Sequence, residues 1–286
     1  MTNLSTTGLH RLERFAAIAV TGPDSKVFLQ GQLSFDLDLL TRERSELASC
    51  SSAQGRVQAV LWLIERSDSI IMVLPASLLE ATLGRLRKYV LRSKVKLEAS
   101  DRFAVFAAPD AQIEGGIRSH VEHAERSYVR WPGDASRVMC IAPAGSGDTH
   151  ERTSMQWHRD DIAAGLPAVY PQTHEAFVAQ MLNLDVLGGI SFEKGCYTGQ
   201  EIIARTHFRG AIKRRMLRFK FDGAAPEPGT RVVAGDQHAG DVVDAVGTEH
   251  GSELLAVVNL AHADAVLQLA SPDGARLSRL ALPYSL

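Results

Sequence analysis

After Asp222 the chain loses any helical periodicity. GAAPEPGTRVV, AGDQHAGDVVDAV and ELLAVVNL are short Val-rich runs separated by turns bearing Gly and Pro. Runs of that length hold a strand but not a helix of several turns, and their regular spacing predicts a small antiparallel barrel or sandwich. This divides the chain into an all-β unit over 211–286 and mixed α+β structure before it.

Upstream the runs alternate in type. FAAIAVT (Phe15 to Thr21) predicts a buried strand, and Gly22-Pro23-Asp24 a turn into a helix around Lys26 to Leu33. Gln54-Gly55 precedes the apolar run Val57 to Ile64, which can pair with Ser69 to Leu74 as a hairpin around Arg66 to Asp68. Pro75 then introduces a helix whose stripe is Leu78, Leu79, Leu83, Leu86 and Val90. Arg85, Arg87, Lys88 and Arg92 fall largely off that stripe, with Lys94 and Lys96 following; they form a solvated face or, alternatively, a contact for RNA or a polyglutamyl tail. From Asp101 to Gly147 the runs FAVFAA and VMCIA are short and broken by Gly and Pro, which predicts a small α+β unit. The expected organisation is an α+β domain over 1–97, completed by 151–210, a middle α+β domain over 98–150, and the terminal β-barrel.

The 286 residues carry 31 basic and 33 acidic side chains, so no global positive field draws the chain to nucleic acid, and any RNA contact must be a local patch. No uncharged run is long enough to span a bilayer, and the start, MTNLSTTGLHRLERF, has no apolar stretch after a basic cluster, so a cytoplasmic location is expected. Cys50, Cys140 and Cys196 are too few and too far apart for a disulfide framework or a paired-cysteine zinc site, so reduced thiols and no metal are expected.

Chemistry concentrates around Cys196. In Lys194-Gly195-Cys196-Tyr197-Thr198-Gly199-Gln200-Glu201 the glycines permit a sharp reversal, and Thr198-x-x-Glu201 has the form of a capping box ahead of Ile202-Ile203. Cys196 would then lie just before a helix N-terminus, where Lys194 and Arg205 favour ionised sulfur able to attack an electrophile or bind a metal. A buried cysteine packing as a small hydrophobe is the equally weighted alternative. Arg205, His207, Arg209, Lys213, Arg214 and Arg215 add a second basic cluster, facing phosphate, a glutamate tail or simply solvent.

The stretch NLDVLGGISFEKGCYTGQEIIARTHFRG resembles the signature of YgfZ proteins and their mitochondrial iron–sulfur assembly relatives, with weaker likeness through WHRDDIAAGLPAVYPQTHEAFVAQML and FLQGQLSFDL. That family is related to the glycine-cleavage T-protein, so the resemblance implies a T-protein-like fold and a folate, tetrahydrofolate or a derivative, in a central cavity. It implies a cofactor role for Trp157, whose indole would stack on a pterin, and for Phe15, where a family member can carry Trp. T-protein enzymes also resemble this chain around Gln54-Gly55-Arg56-Val57, but Ala59-Val60 stands where they carry an Asp-Asp pair, and neither side chain can act as acid or base. The implied function is a folate-binding accessory protein for assembly or repair of selected iron–sulfur enzymes, some of which modify tRNA. Its partners would be iron–sulfur proteins or assembly machinery, with a weak or indirect tRNA link. A tetrahydrofolate-dependent one-carbon transferase and a tRNA-binding module are the alternatives.

Overall fold

The computed structural model describes residue 4 and residues 8–99, 102–134 and 136–286. The chain begins with β1 (His10–Arg11), β2 (Phe15–Thr21) and α1 (Ser25–Gln30), followed by β3 (Glu46–Ser51), β4 (Val57–Glu65) and β5 (Ile70–Pro75). The strand 15–21 and the hairpin match the sequence expectation; β3 does not follow from it, because ELASCS has neither an apolar run nor alternation. Helix α2 (Leu79–Arg87) buries Leu83 and Leu86 and stops before Val90, the chain turning at Leu91 with φ 38°. Strand β6 (Lys96–Ala99) completes an antiparallel sheet in the order β3-β4-β5-β2-β6. β3 and β5 are buried along their whole length and β4 along most of it, which is why the apolar runs of β4 and β5 are nearly continuous.

A second sheet takes β7 (Phe103–Ala107), β8 (His120–His123), β9 (Arg126–Arg130), β10 (Val138–Pro143) and β11 (Asp148–Thr149), in the order β11-β1-β7-β10-β9-β8. The α+β character expected for 98–150 is not found within it: among the described residues this stretch supplies strands and no helix. The helix that packs on the sheet, α3 (Glu151–Ala163), follows the stretch and touches β1 and β7. Its buried face is Trp157, Asp161 and Ile162, one aromatic, one acid and one aliphatic, so apolar spacing alone does not reveal it.

After α4 (Gln200–Arg209) come β12 (Arg214–Phe221), β13 (Arg231–Ala234), β14 (Gln237–Thr248), β15 (Gly251–Asn259), β16 (Leu267–Leu269) and β17 (Arg276–Leu280). They close into the expected barrel, ordered β12-β15-β14-β13-β16-β17. Alternation along the strands gives it two apolar faces: Leu217, Phe219, Leu254, Ala256 and Val258 fill the interior, while Met216, Leu255 and Val257 join the main core outside.

The barrel is also fastened by charge. A bulge between Val242 and Asp244 turns the buried Asp244 toward the body of the molecule. Its Oδ2 accepts from Arg14 Nη2 at 3.1 Å and from Tyr170 Oη at 2.9 Å, and its Oδ1 lies 2.9 Å from His158 Nε2. Arg14 reaches on to Asp161, at 3.0 Å, and Asp161 also accepts from Arg137 at 2.7 Å and from Trp131 Nε1 at 2.9 Å. Burial pushes the Asp244 carboxyl up, but His158, Arg14 and Tyr170 more than offset it and hold it below the ordinary carboxylate range. Asp244→Ala leaves Arg14 short of a buried partner and is expected to cost about 3–5 kcal/mol in urea unfolding. Because Asp244 binds its proton more weakly folded than unfolded, its contribution is complete above the unfolded pKa, about 4, and is lost as pH falls further. The wild type should therefore lose more stability below about pH 4 than the variant, in parallel denaturation curves.

Candidate functional site

The reversal around Cys196 is built by Lys194. Its ammonium lies buried and donates to three backbone carbonyls, Gln30 O at 2.8 Å, Leu33 O at 2.9 Å and Phe35 O at 2.7 Å. Gln30 closes α1, so the lysine satisfies a helix-terminal carbonyl that has no intrahelical partner and sets a cation at the negative end of the helix. Burial pushes Lys194 down to about 8, against the pull of the Asp36 and Asp38 carboxylates. All three ammonium protons are engaged by these carbonyls, so Lys194, expected from the sequence as a cation favouring ionised sulfur, also shapes the loop.

Other bonds run along the same seam. Thr198 N–H donates to Gly31 O at 3.2 Å, Ser191 N–H to Ser34 O at 2.8 Å, and Ser34 Oγ to Gly189 O at 2.6 Å. FLQGQLSF and KGCYTGQE, more than 150 positions apart, are thus two halves of one structure.

The capping box is not formed. The residue before α4 is Gly199 at φ 86°, and a Cβ there would lie 2.5 Å from Ser52 O and 3.0 Å from Gly55 Cα. Gly55, at φ 70°, meets Ile202 in the same way, at 2.7 Å. Backbone contact between the β3–β4 turn and the start of α4 requires glycine on both sides, and this takes the cap position from Thr198. Glu201 pairs with Arg205 across one helical turn at 2.8 Å, both largely exposed, so Arg205 too is engaged away from the sulfur. Gln200 Nε2 donates to Lys194 O at 3.4 Å, and Gly195 faces open space. Tyr197 is buried against Lys194, whose Nζ lies 5.0 Å from the ring centre; its hydroxyl has no partner, and burial pushes it up to about 12.

Cys196 is exposed, whereas Cys50 and Cys140 are buried. Burial pushes those two thiols up to about 11 and about 12, which keeps them protonated and inert at neutral pH. The packing alternative for Cys196 is therefore excluded by its exposure.

Trp157 and Phe15 do not face each other. Both flank Trp131, at 6.2 Å and 6.1 Å between ring centres, and Trp62 stacks at 4.3 Å on the same indole. Phe15 lines a cavity of about 370 Å³ with Phe103, Leu79 and a group of alanines. Trp157 lines a different one of about 350 Å³, bordered by Arg137, Gln156, Asp160, Thr153 and His150. One face of Trp157 is taken by the Arg137 guanidinium, 4.3 Å from the ring centre. The indole Nε1, however, is buried without a hydrogen-bond partner among the described residues, whereas Arg137 Nε lies 3.7 Å from Asp160 Oδ2. One orphaned donor in the cavity wall fits a ligand that presents an acceptor atom, and Gln156 Oε1 and Asp160, which accepts from Gln156 Nε2 at 2.8 Å, supply acceptors for a ligand's own N–H groups. Reading the sequence did not single out Trp131, Arg137 or Asp161; the RWPGD turn and the acidic pair in HRDD were the only signals. Ala59 and Val60 are buried in β4 and offer no carboxylate.

Two mixed α/β portions and a closed terminal barrel define the T-protein class of fold. The structure superposes on an aminomethyltransferase T of the glycine cleavage system from Bartonella henselae with a TM-score of 0.75, covering 96% of this chain and 85% of that one at 16% identity. Residues 213–281 match the CAF17 C-terminal beta-barrel domain. The chain is 32% identical to the tRNA-modifying protein YgfZ of Klebsiella pneumoniae (strain 342), over 97% of this chain and 93% of the relative, and 33% identical to that of Enterobacter sp. (strain 638), over 96% and 92%. It belongs to the YgfZ family.

Lys194→Met keeps much of the stem but leaves three buried carbonyls without a donor. A loss of about 2–4 kcal/mol is expected in urea unfolding, with faster proteolysis in the 190–200 loop. Gly199→Ala meets both the φ penalty and Ser52 O, and is expected to destabilise by more than about 1–2 kcal/mol.

Proposed function

We propose that this chain is a cytoplasmic folate-binding accessory factor that supports assembly or repair of iron–sulfur enzymes, tRNA-modifying ones among them, with Cys196 as its reactive thiol. The observation that carries the reading is the contrast between cysteines: one exposed sulfur on a loop fixed by a buried lysine, and two sealed in the core. A single thiol cannot hold a cluster, which needs several ligands, so Cys196 would handle sulfur or a cluster in transit. Lys194 acts through the geometry of the loop that carries it, and Arg205 adds a cation on the helix that follows.

The folate is assigned to the cavity of Trp157, where the unpartnered Nε1 and the Arg137 guanidinium would meet the oxygen and nitrogen acceptors of the pterin or its carboxylate tail. Phe15 supports the same aromatic cluster from the other side of Trp131. When bound, a reduced folate supplies one-carbon or redox chemistry. Ala59 and Val60 weigh against an aminomethyl transferase, since neither handles a proton.

Calorimetric titration with tetrahydrofolate tests the cofactor: Trp157→Phe keeps a ring but deletes the donor and should bind about tenfold more weakly. Equal affinities would remove Trp157 from the site, and no heat with the wild type would remove the folate. Cys196→Ser should fail to rescue a strain lacking the protein while folding and binding tetrahydrofolate normally. Full rescue by that variant would end the thiol assignment.

A further inference from the structure

Beside the Cys196 loop stands a group of rings that begins at the edge of the main core, where Phe192 packs, and ends in solvent at Phe208. Phe192, two residues before Lys194, stacks on His207 at 3.8 Å between centres and 15° between planes. Phe208 meets His207 edge-on at 4.8 Å and 83°, and meets Phe192 at 6.2 Å. Phe208 is 69% exposed, an expensive position for a phenyl ring unless something covers it.

Glu193, next to Phe192, and Glu201 are exposed acids, but the sequence that follows them is one-sided in charge. From Ile202 to Phe221 the sequence has no Asp or Glu and seven Lys or Arg. Two of the seven are spent internally, Arg215 on Asp185 and Arg218 on Glu253. Lys213 is exposed in the short link from α4 into the barrel, and Arg214, half-buried, opens β12. Among the described residues Arg205 is held by an exposed pair with Glu201, a contact worth little in water and easily exchanged for a phosphate. Against an overall charge of −2, this is the local patch that a polyanion requires.

We propose that the Phe192–His207–Phe208 cluster, with Lys213 and Arg214, is a docking platform for an unpaired RNA segment, an unstacked base lying on Phe208 and its flanking phosphates on the cations. This rests on the reading of the chain as a factor linked to tRNA modification, and adds the surface and the form of RNA it takes. An exposed ring presents a face to one splayed base, which a duplex cannot offer because its bases stay stacked. Cations on both sides of the ring in the sequence, with no acid among them, match a phosphate backbone better than the mixed-charge rim of a protein partner. Phe192 lies in the same loop as Cys196, so RNA on the platform would sit beside the thiol.

The test is fluorescence anisotropy at low salt with the full chain and a labelled RNA hairpin bearing an unpaired loop, compared with the same stem as a blunt duplex. The looped hairpin should bind more tightly than the duplex. Phe208→Ala should weaken it about tenfold or more while barely changing the duplex. Lys213→Ala should lower the steepness of the salt dependence by about one phosphate contact. Absence of hairpin binding at low salt, equal affinity for hairpin and duplex, or an unchanged Phe208→Ala titration would each overturn the platform. Phe208→Ala should bind tetrahydrofolate as the wild type does, so a failed hairpin titration leaves the folate and Cys196 assignments to their own assays.

Discussion

The candidate site depends on one buried ammonium group. Without Lys194, the carbonyls of Gln30, Leu33 and Phe35 would face the interior unpaired. Such groups cost free energy comparable to a lost hydrogen bond each, so the loop after α1 and the loop before α4 are stable only together. The shape that exposes Cys196 is therefore a property of two distant segments, not of the cysteine's own neighbours. Gly55 and Gly199 add the second constraint, since backbone can approach backbone at that point only where neither residue has a Cβ.

A separate charged network plays the corresponding part at the barrel. Arg14, Asp161 and Asp244 come from the start of the chain, from α3 and from β14, and each is nearly removed from water. Buried ion pairs of this kind contribute little net stability over an apolar substitute, but they penalise a misplaced partner strongly. Apolar contacts of Met216, Leu255 and Val257 hold the barrel on the body, and the Arg14 network specifies its orientation.

Much of the fold was legible. Strand β2, the β4–β5 hairpin, the start of α2 and the barrel follow from apolar runs and the turns between them, because in each case the buried face is made of aliphatic residues. Strand β3 and helix α3 escape that logic: ELASCS is buried with Ser49 Oγ hydrogen-bonded to Ser34, and α3 buries Asp161 where an aliphatic residue would mark the core. At the site, the motif suggested a helix cap that does not form. A Thr-x-x-Glu spacing is a valid capping signal, yet the left-handed turn needed for the Gly55 contact puts Gly199 at the cap and sends Thr198 N–H to Gly31. The structural part of Lys194 was not legible either, because its three acceptors lie on a segment more than 150 positions away. The pairing of Trp157 with Phe15 through Trp131 is a tertiary fact with no local signature.

The central claim is that the native fold exposes one thiol and seals the other two. Site-resolved mass spectrometry of the folded protein, sampled over time after addition of a maleimide, tests it directly. The structure predicts rapid modification of Cys196 and none of Cys50 or Cys140 until the protein is unfolded. Modification of either core cysteine at the rate of Cys196, or protection of Cys196 in the folded protein, would contradict it.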